Sequence, residues 1–194
     1  MIKYQKNPIS LFKTWYQAEL KLSKVQIPSA VCFSTIGLDN FPNARFVSLK
    51  EIIDDSFIIT GSLKSRKGVE VGENNRVALT FWWTETECQV RIQGIASKIS
   101  ETLATKYFEE RSQASKVVSK VCSQGDVVND VSILEEKVET FIAENKRINK
   151  PKDWSGLSIK PIRMEFMEFK TSRFHDRKLY ELIDGEWKMI QIQP

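Results

Sequence analysis

A single histidine and three cysteines are the only imidazole and thiol groups in the chain. Cys32, Cys88 and Cys122 are odd in number, widely spaced and free of any CxxC pair, so neither a zinc site nor a disulfide framework is expected. They read as reduced thiols of a cytoplasmic protein. No segment approaches the ~18 consecutive apolar residues of a membrane span, and Met1 to Pro8 holds no apolar run of signal-peptide length. A soluble, unprocessed chain with no membrane partner is expected. Internal repeats and low-complexity tracts are missing as well. The charge excess is small, 29 basic against 25 acidic residues for a net +4, and it is mixed along the chain rather than gathered into a tail. Nucleic acid is therefore not an implied partner.

What is present suits one well-buried core: 194 residues, 41% of them hydrophobic. A single domain over 1–194 is expected, with an N-terminal helix at about 8–22 and a barrel with helices over 29–194. Asn7 followed by Pro8 is a side-chain cap and a first-turn proline, after which Phe12, Trp15, Tyr16 and Leu20 recur at helical spacing. From Ser29 the texture turns to short β-rich runs at 30–34, 45–49, 57–60, 77–83 and 89–99. Gly37 to Asn40, Asp54-Asp55 and Glu85 to Glu87 serve as turns between them. Helical spacing occupies 101–111 and 132 to about Lys146, with Ser123 to Asp126 as a polar loop between them. Strand character returns at 158–169, 174–182 and 187–192, where Asp184-Gly185 marks a hairpin. Antiparallel strands with a few peripheral helices predict an α+β fold built on a small barrel.

Four groups of residues stand out chemically. Arg173-Phe174-His175-Asp176-Arg177 sets the one histidine between two guanidinium groups. On an extended strand, 173, 175 and 177 share a face that suits an anionic, hydrogen-bonding ligand, or they form an ordinary solvated edge. Ser65-Arg66-Lys67-Gly68 follows a strand and opens a helical stretch, either an anion cradle or a basic turn. Tyr107, Arg111 and Ser115, spaced by four, line up a phenol, a guanidinium and a hydroxyl if one helix runs through them. Arg45 and Lys50 sit five apart on one expected strand and so face opposite sides unless it bulges; Gln89 is a strand glutamine able to bond a heterocycle edge.

In their order, these pieces resemble the pyridoxamine 5'-phosphate oxidase family. The match is carried by Asn7-Pro8 with Leu11-Phe12 and Trp15, by 42–50, by Ser65-Arg66-Lys67, by Gln89-Val90-Arg91 with Gly94, and by Lys106-Tyr107-Phe108 with Arg111 and Ser115. Glu165-Phe166 and 173–177 complete it. The resemblance implies an FMN-binding split β-barrel working as a homodimer, with flavin sites between subunits. It implies oxidation of pyridoxamine or pyridoxine 5'-phosphate to pyridoxal 5'-phosphate, with O2 reduced to H2O2. FMN falls to Arg45, Arg66, Lys67, Gln89, Gln124 and Arg177, with backbone contacts around Lys50 and Thr60, and with Gly61 and Met167 at positions that border it. The substrate falls to Lys50, Tyr107, Arg111 and Ser115 at its phosphate and to Arg173 and His175, the implied catalytic pair, beside its ring. No metal is implied.

Departures from the family pattern are equally specific. Met167 stands where the family usually has a flavin-contacting tryptophan, Glu168-Phe169-Lys170 replaces a Gln-Gly-Gly-like turn, and Gly61 replaces a common threonine. Trp154-Ser155-Gly156 replaces a Trp-Gly-Gly. They leave open a related flavin oxidase acting on another ring substrate, or a non-catalytic FMN or B6-phosphate binding protein.

Overall fold

The structure, a computed structural model, describes residues 7–144 and 147–194. Among them nine strands join in one antiparallel sheet. They are β1 (Ala30–Ile36), β2 (Pro42–Ser48), β3 (Glu51–Ile53), β4 (Ser56–Ser62), β5 (Arg76–Trp83), β6 (Cys88–Lys98), β7 (Trp154–Glu168), β8 (Asp176–Ile183) and β9 (Glu186–Ile192). The helices are α1 (Pro8–Leu22), α2 (Arg66–Glu73), α3 (Glu101–Glu109), α4 (Gln113–Val121) and α5 (Val131–Ala143). None of them is long and apolar enough to cross a membrane.

The first helix starts as its cap dictates: the Asn7 side chain accepts from the Ile9 amide at 2.8 Å. Its Phe12 is wholly buried, edge-on to Phe57 at 4.8 Å and Phe81 at 4.9 Å, a burial worth about 2–3 kcal/mol. This ring plugs the curled sheet, around which Val31, Phe33, Leu79, Ile92, Ile159 and Phe166 close the core.

Strand order is β2-β1-β5-β6-β7-β4-β3, with β8 and β9 attached through β7. The 15-residue β7 is the spine: β6 follows one edge, while β4 pairs with its first half and β8 with its second. Gln93 pairs with Arg163 but Gly94 with Pro161, so Ile162 is an extra residue in a β-bulge. Ile159 and Pro161 point inward before it, Met164 and Phe166 after it, so the inward parity changes from odd to even. Gly94 is required there, because a Cβ would lie 2.6 Å from the Lys160 carbonyl oxygen.

Several expectations need correction. The helix expected over 101–111 ends at Glu109, because Ser112 opens α4 by accepting from the Ser115 amide at 3.3 Å. Tyr107 and Ser115 therefore sit on different helices, and α4 itself was not expected. Nor was β3, whose three residues are too few to display a period. Lys50 lies beyond the end of β2, in the link to β3, so the spacing argument from Arg45 does not apply. The expected helix end at Lys146 lies outside the described residues. Finally, β8 begins only at Asp176. Residues 170–173 make a turn, closed by Arg173 N–H to the Lys170 carbonyl at 3.0 Å, with Arg173 at φ 66°. Arg173 and His175 are thus not strand residues sharing a face with Arg177.

Candidate active site

Between β4, the start of α2, the α4 region and the approach to β7 lies a cleft of about 1090 Å³. Thr60, Gly61, Lys67, Arg111 and Gln124 line it, five of the residues singled out from sequence. Its cations, Lys64, Lys67, Arg111, Lys120 and Lys152, outnumber its carboxylates, Asp126 and Asp153. Asp153 is held below the ordinary carboxylate range, chiefly by the Ser62 hydroxyl at 2.6 Å.

Lys67 is the centre of this cleft. Among the described residues its Nζ donates to two neutral oxygens, Ser65 Oγ at 3.0 Å and Gln124 Oε1 at 3.1 Å. Burial, and then the charge of Arg45, push its pKa down. A Cβ added at Gly61 would touch Lys67 Cε at 3.4 Å, so the lysine stem packs on this glycine. Arg111 spends Nη2 on the Ser115 carbonyl and Ser119 Oγ, both at 3.2 Å, and lies over the Trp154 ring. Its Nε is buried with no hydrogen-bond partner among the described residues, and burial lowers the Arg111 pKa. A desolvated lysine and an orphaned guanidinium N–H in one cleft fit an anionic ligand, which supplies the missing negative charge.

Arg45 and Arg66 are organised by a residue that the sequence reading missed. Glu70, 1% exposed, accepts from Thr35 Oγ1 at 2.5 Å, Asn43 Nδ2 at 2.7 Å, Arg66 Nε at 2.8 Å and Arg45 Nη2 at 3.0 Å. Burial alone would raise its pKa; these donors outweigh that and lower it. Arg45 also donates to the Phe33 carbonyl, and Arg66 reaches Asp39 at 3.4 Å. The i,i+4 spacing of Arg66 and Glu70 was the available signal.

Lys50 and Tyr107 form a separate group beside α3. Lys50 pairs with Glu110 at 2.8 Å and lies 5.2 Å from the Tyr107 ring centroid, while the Tyr107 hydroxyl donates to Glu51. Burial, then Glu51, push the Tyr107 pKa well above the ordinary range. Ser115 faces Ser112, whose Oγ donates to its hydroxyl at 2.9 Å.

The remaining residues gather at the far end of β7. Gln89 is opposite Met167, and Met167 opposite Arg177, so the three side chains form a row on one face. Arg177 donates to Glu165 through Nε at 3.0 Å and Nη2 at 2.7 Å, and Arg91 reaches the same carboxylate at 3.2 Å. His175 lies in the preceding segment, its Nδ1 accepting from the Lys170 amide at 3.0 Å. Thr60 pairs with Gly156, whereas Gln89 pairs with Met167, eleven residues further along β7. At ~3.3 Å per residue this is about 36 Å of strand. The Lys67 cleft and the Gln89, Met167, Arg177 row thus lie at opposite ends of β7.

Residues 22–144 match the family model described as pyridoxamine 5'-phosphate oxidase, and residues 154–194 match the one described as pyridoxine 5'-phosphate oxidase C-terminal dimerisation region. A pyridoxine/pyridoxamine 5'-phosphate oxidase of Nostoc punctiforme is 38% identical over 191 residues, 97% of this chain and 89% of the relative. One of Flavobacterium psychrophilum is 36% identical over 192 residues, again 97% and 89%. Among solved structures, PhzG from Burkholderia lata, in complex with tetrahydrophenazine-1-carboxylic acid, superposes with a TM-score of 0.93 at 28% identity, covering 99% of this chain and 95% of that one. A pyridoxamine 5'-phosphate oxidase-related, FMN-binding protein from Nostoc punctiforme superposes with a TM-score of 0.80 at 15% identity, covering 97% and 98%, a likeness of fold. The half-barrel is the split-barrel architecture of these proteins.

Proposed function

The chain belongs to the pyridoxamine 5'-phosphate oxidase family, and on that premise we propose that it is an FMN-dependent oxidase of pyridoxamine and pyridoxine 5'-phosphates. The products are pyridoxal 5'-phosphate and H2O2, formed directly from the alcohol, whereas the amine gives an imine that water hydrolyses to the aldehyde with release of ammonia. The observation that carries this reading is Lys67, a half-buried amine whose hydrogen-bond partners among the described residues are neutral and whose neighbour Arg45 is a second cation. A phosphate monoester placed there turns a destabilising pair of like charges into a charge-assisted cluster.

When bound, FMN would supply the two-electron redox chemistry for oxidation at the substrate's C4' carbon, with O2 as the final acceptor. The chain's own residues bind and orient. Lys67, Arg45 and Arg66 hold the cofactor phosphate, Gln124 steadies the lysine, and the backbone near Thr60, Gly61 and Lys50 lies alongside. Gln89, Met167 and Arg177 border the flavin ring. Arg111, Ser115, Tyr107 and Lys50 take the substrate phosphate, for which Lys50 exchanges its bond to Glu110. Arg173 and His175 flank the substrate ring as the catalytic pair. Positioning the two rings converts an encounter into an oriented pair, an effect of several kcal/mol.

One protomer does not complete this site. The row at Gln89, Met167 and Arg177 is separated from the Lys67 cleft by most of β7, which supports a homodimer in which each flavin takes its phosphate from one protomer and its ring contacts from the partner. The dimerisation-region match over 154–194 supports the same assembly.

Purified protein is expected to be yellow and to make peroxide from pyridoxamine 5'-phosphate. FMN-loaded protein that makes none refutes the activity. A second reading, a flavin oxidase of another ring system, is favoured by Met167 in the ring-bordering row and by the tetrahydrophenazine carboxylate seen with PhzG. Turnover on unphosphorylated rings equal to that on the phosphate esters would select it, since the Arg111 group would then serve no purpose.

A further inference from the structure

His175 is held from two directions by the segment that follows β7. Phe169 packs edge-on against the imidazole, centroids 5.2 Å apart and planes at 71°. Phe169 also meets Trp82, edge-on at 4.9 Å and 65°. Its backbone is tied down by an N–H to the Glu87 carbonyl at 2.9 Å, so Phe169 is a fixed wall. The next residue, Lys170, donates its backbone N–H to His175 Nδ1 at 3.0 Å. The 170–173 turn, with Arg173 in the left-handed region, returns the chain so that His175 lies over the residues that hold it.

An imidazole nitrogen that accepts a hydrogen bond carries no proton in the neutral ring, so the proton sits on the other nitrogen. Nε2 has no hydrogen-bond partner among the described residues. We propose that Phe169 and the Lys170 amide are positioning residues that lock His175 as its Nε2–H tautomer, presenting one oriented donor to an acceptor atom on the ring of the substrate. The role toward substrate rests on the function proposed above; the lock does not. An amide donor on Nδ1 also selects ligands: a ring with an acceptor at that position is favoured, and one with a donor is refused.

His175 is the only histidine, so imidazole nitrogen NMR of the FMN-loaded protein reports it without assignment. The neutral wild-type ring should show a protonated Nε2 and an unprotonated Nδ1. Phe169→Ala should move both resonances toward the tautomer average. It should also lower kcat/KM on the order of tenfold to a hundredfold while FMN retention is unchanged. Phe169→Tyr should restore both, and Phe169→Leu, which keeps apolar bulk without a flat ring, should fall between. A wild-type proton on Nδ1, or a Phe169→Ala spectrum identical to wild type, overturns the lock. Averaged tautomers with unchanged kinetics overturn the role toward substrate. Wild-type protein with the expected spectrum but no turnover of B6 phosphates supports the lock and refutes the function on which the substrate role rests.

Discussion

Two buried glutamates, one on α2 and one on β7, hold two arginines apiece. Glu70 takes Arg45 and Arg66, plus Thr35 and Asn43, on the inner side of α2; Glu165 takes Arg91 and Arg177 across neighbouring strands. The first carboxylate has four side-chain donors and sits one helical turn from Lys67, whose partners among the described residues are the neutral oxygens of Ser65 and Gln124. The second has two arginines and lies in a rim where Trp82 and Phe174 are 61% and 76% exposed. One group therefore has an excess of cations, and the other leaves an aromatic rim exposed. On the proposed function, an anion completes the first and a partner protomer or a bound ring covers the second.

The sharpest way to break this comparison is to damage each end in a different protomer. Lys67→Ala and Arg177→Ala homodimers should each lose most turnover, whereas co-expressed chains should recover about half of the sites in each mixed dimer, because one site then contains neither change. Peroxide assays on purified mixed dimers measure this; no recovery would mean that both ends serve the same protomer's ligand. Next in size, Lys67→Ala should weaken FMN by about thirtyfold, the loss of one charge-assisted bond, as read by quenching of flavin fluorescence.

Glu70→Ala should cost about 3 kcal/mol in urea unfolding, since it strands Arg45 and leaves Thr35 unsatisfied, and Glu165→Ala should cost less. The Glu70 contribution has a definite pH sign. Its folded-state pKa lies below the ordinary 4.5, so the stabilisation is complete above that value and is lost as pH falls through the lowered one. The gap between wild type and Glu70→Ala should therefore narrow in acid. Smallest of all, Ser155→Ala should raise the stability of the flavin-free protein by about 1 kcal/mol, because its buried hydroxyl has no partner.

Legibility from sequence followed the range of the interactions. The α1 start, most of the strands and the 184–185 hairpin were set by neighbours within a few residues, and they were found. The start of α4 was hidden because Ser112 looks like the continuation of an amphipathic pattern, and the 170–173 turn because Arg173 gives no glycine-like signal for its positive φ. The Glu70 and Glu165 clusters depend on partners up to 35 and 74 positions away, which the packing of α2 on β1 and β2 brings together in the first case and strand register in the second. Individual cations were identifiable. Which of them are already neutralised, as Lys50 is by Glu110, was not.

The extra residue at Ile162 has a further effect. Were β7 to alternate without it, odd positions would continue into the hydrophobic interior, and Glu165 and Met167 would be aimed at Phe12 while Met164 and Phe166 met water. A single uncounted amino acid thus lets one continuous strand keep an oily inward side before and after the bulge, and still set on its opposite face an acid that two guanidinium groups cover and a thioether beside it.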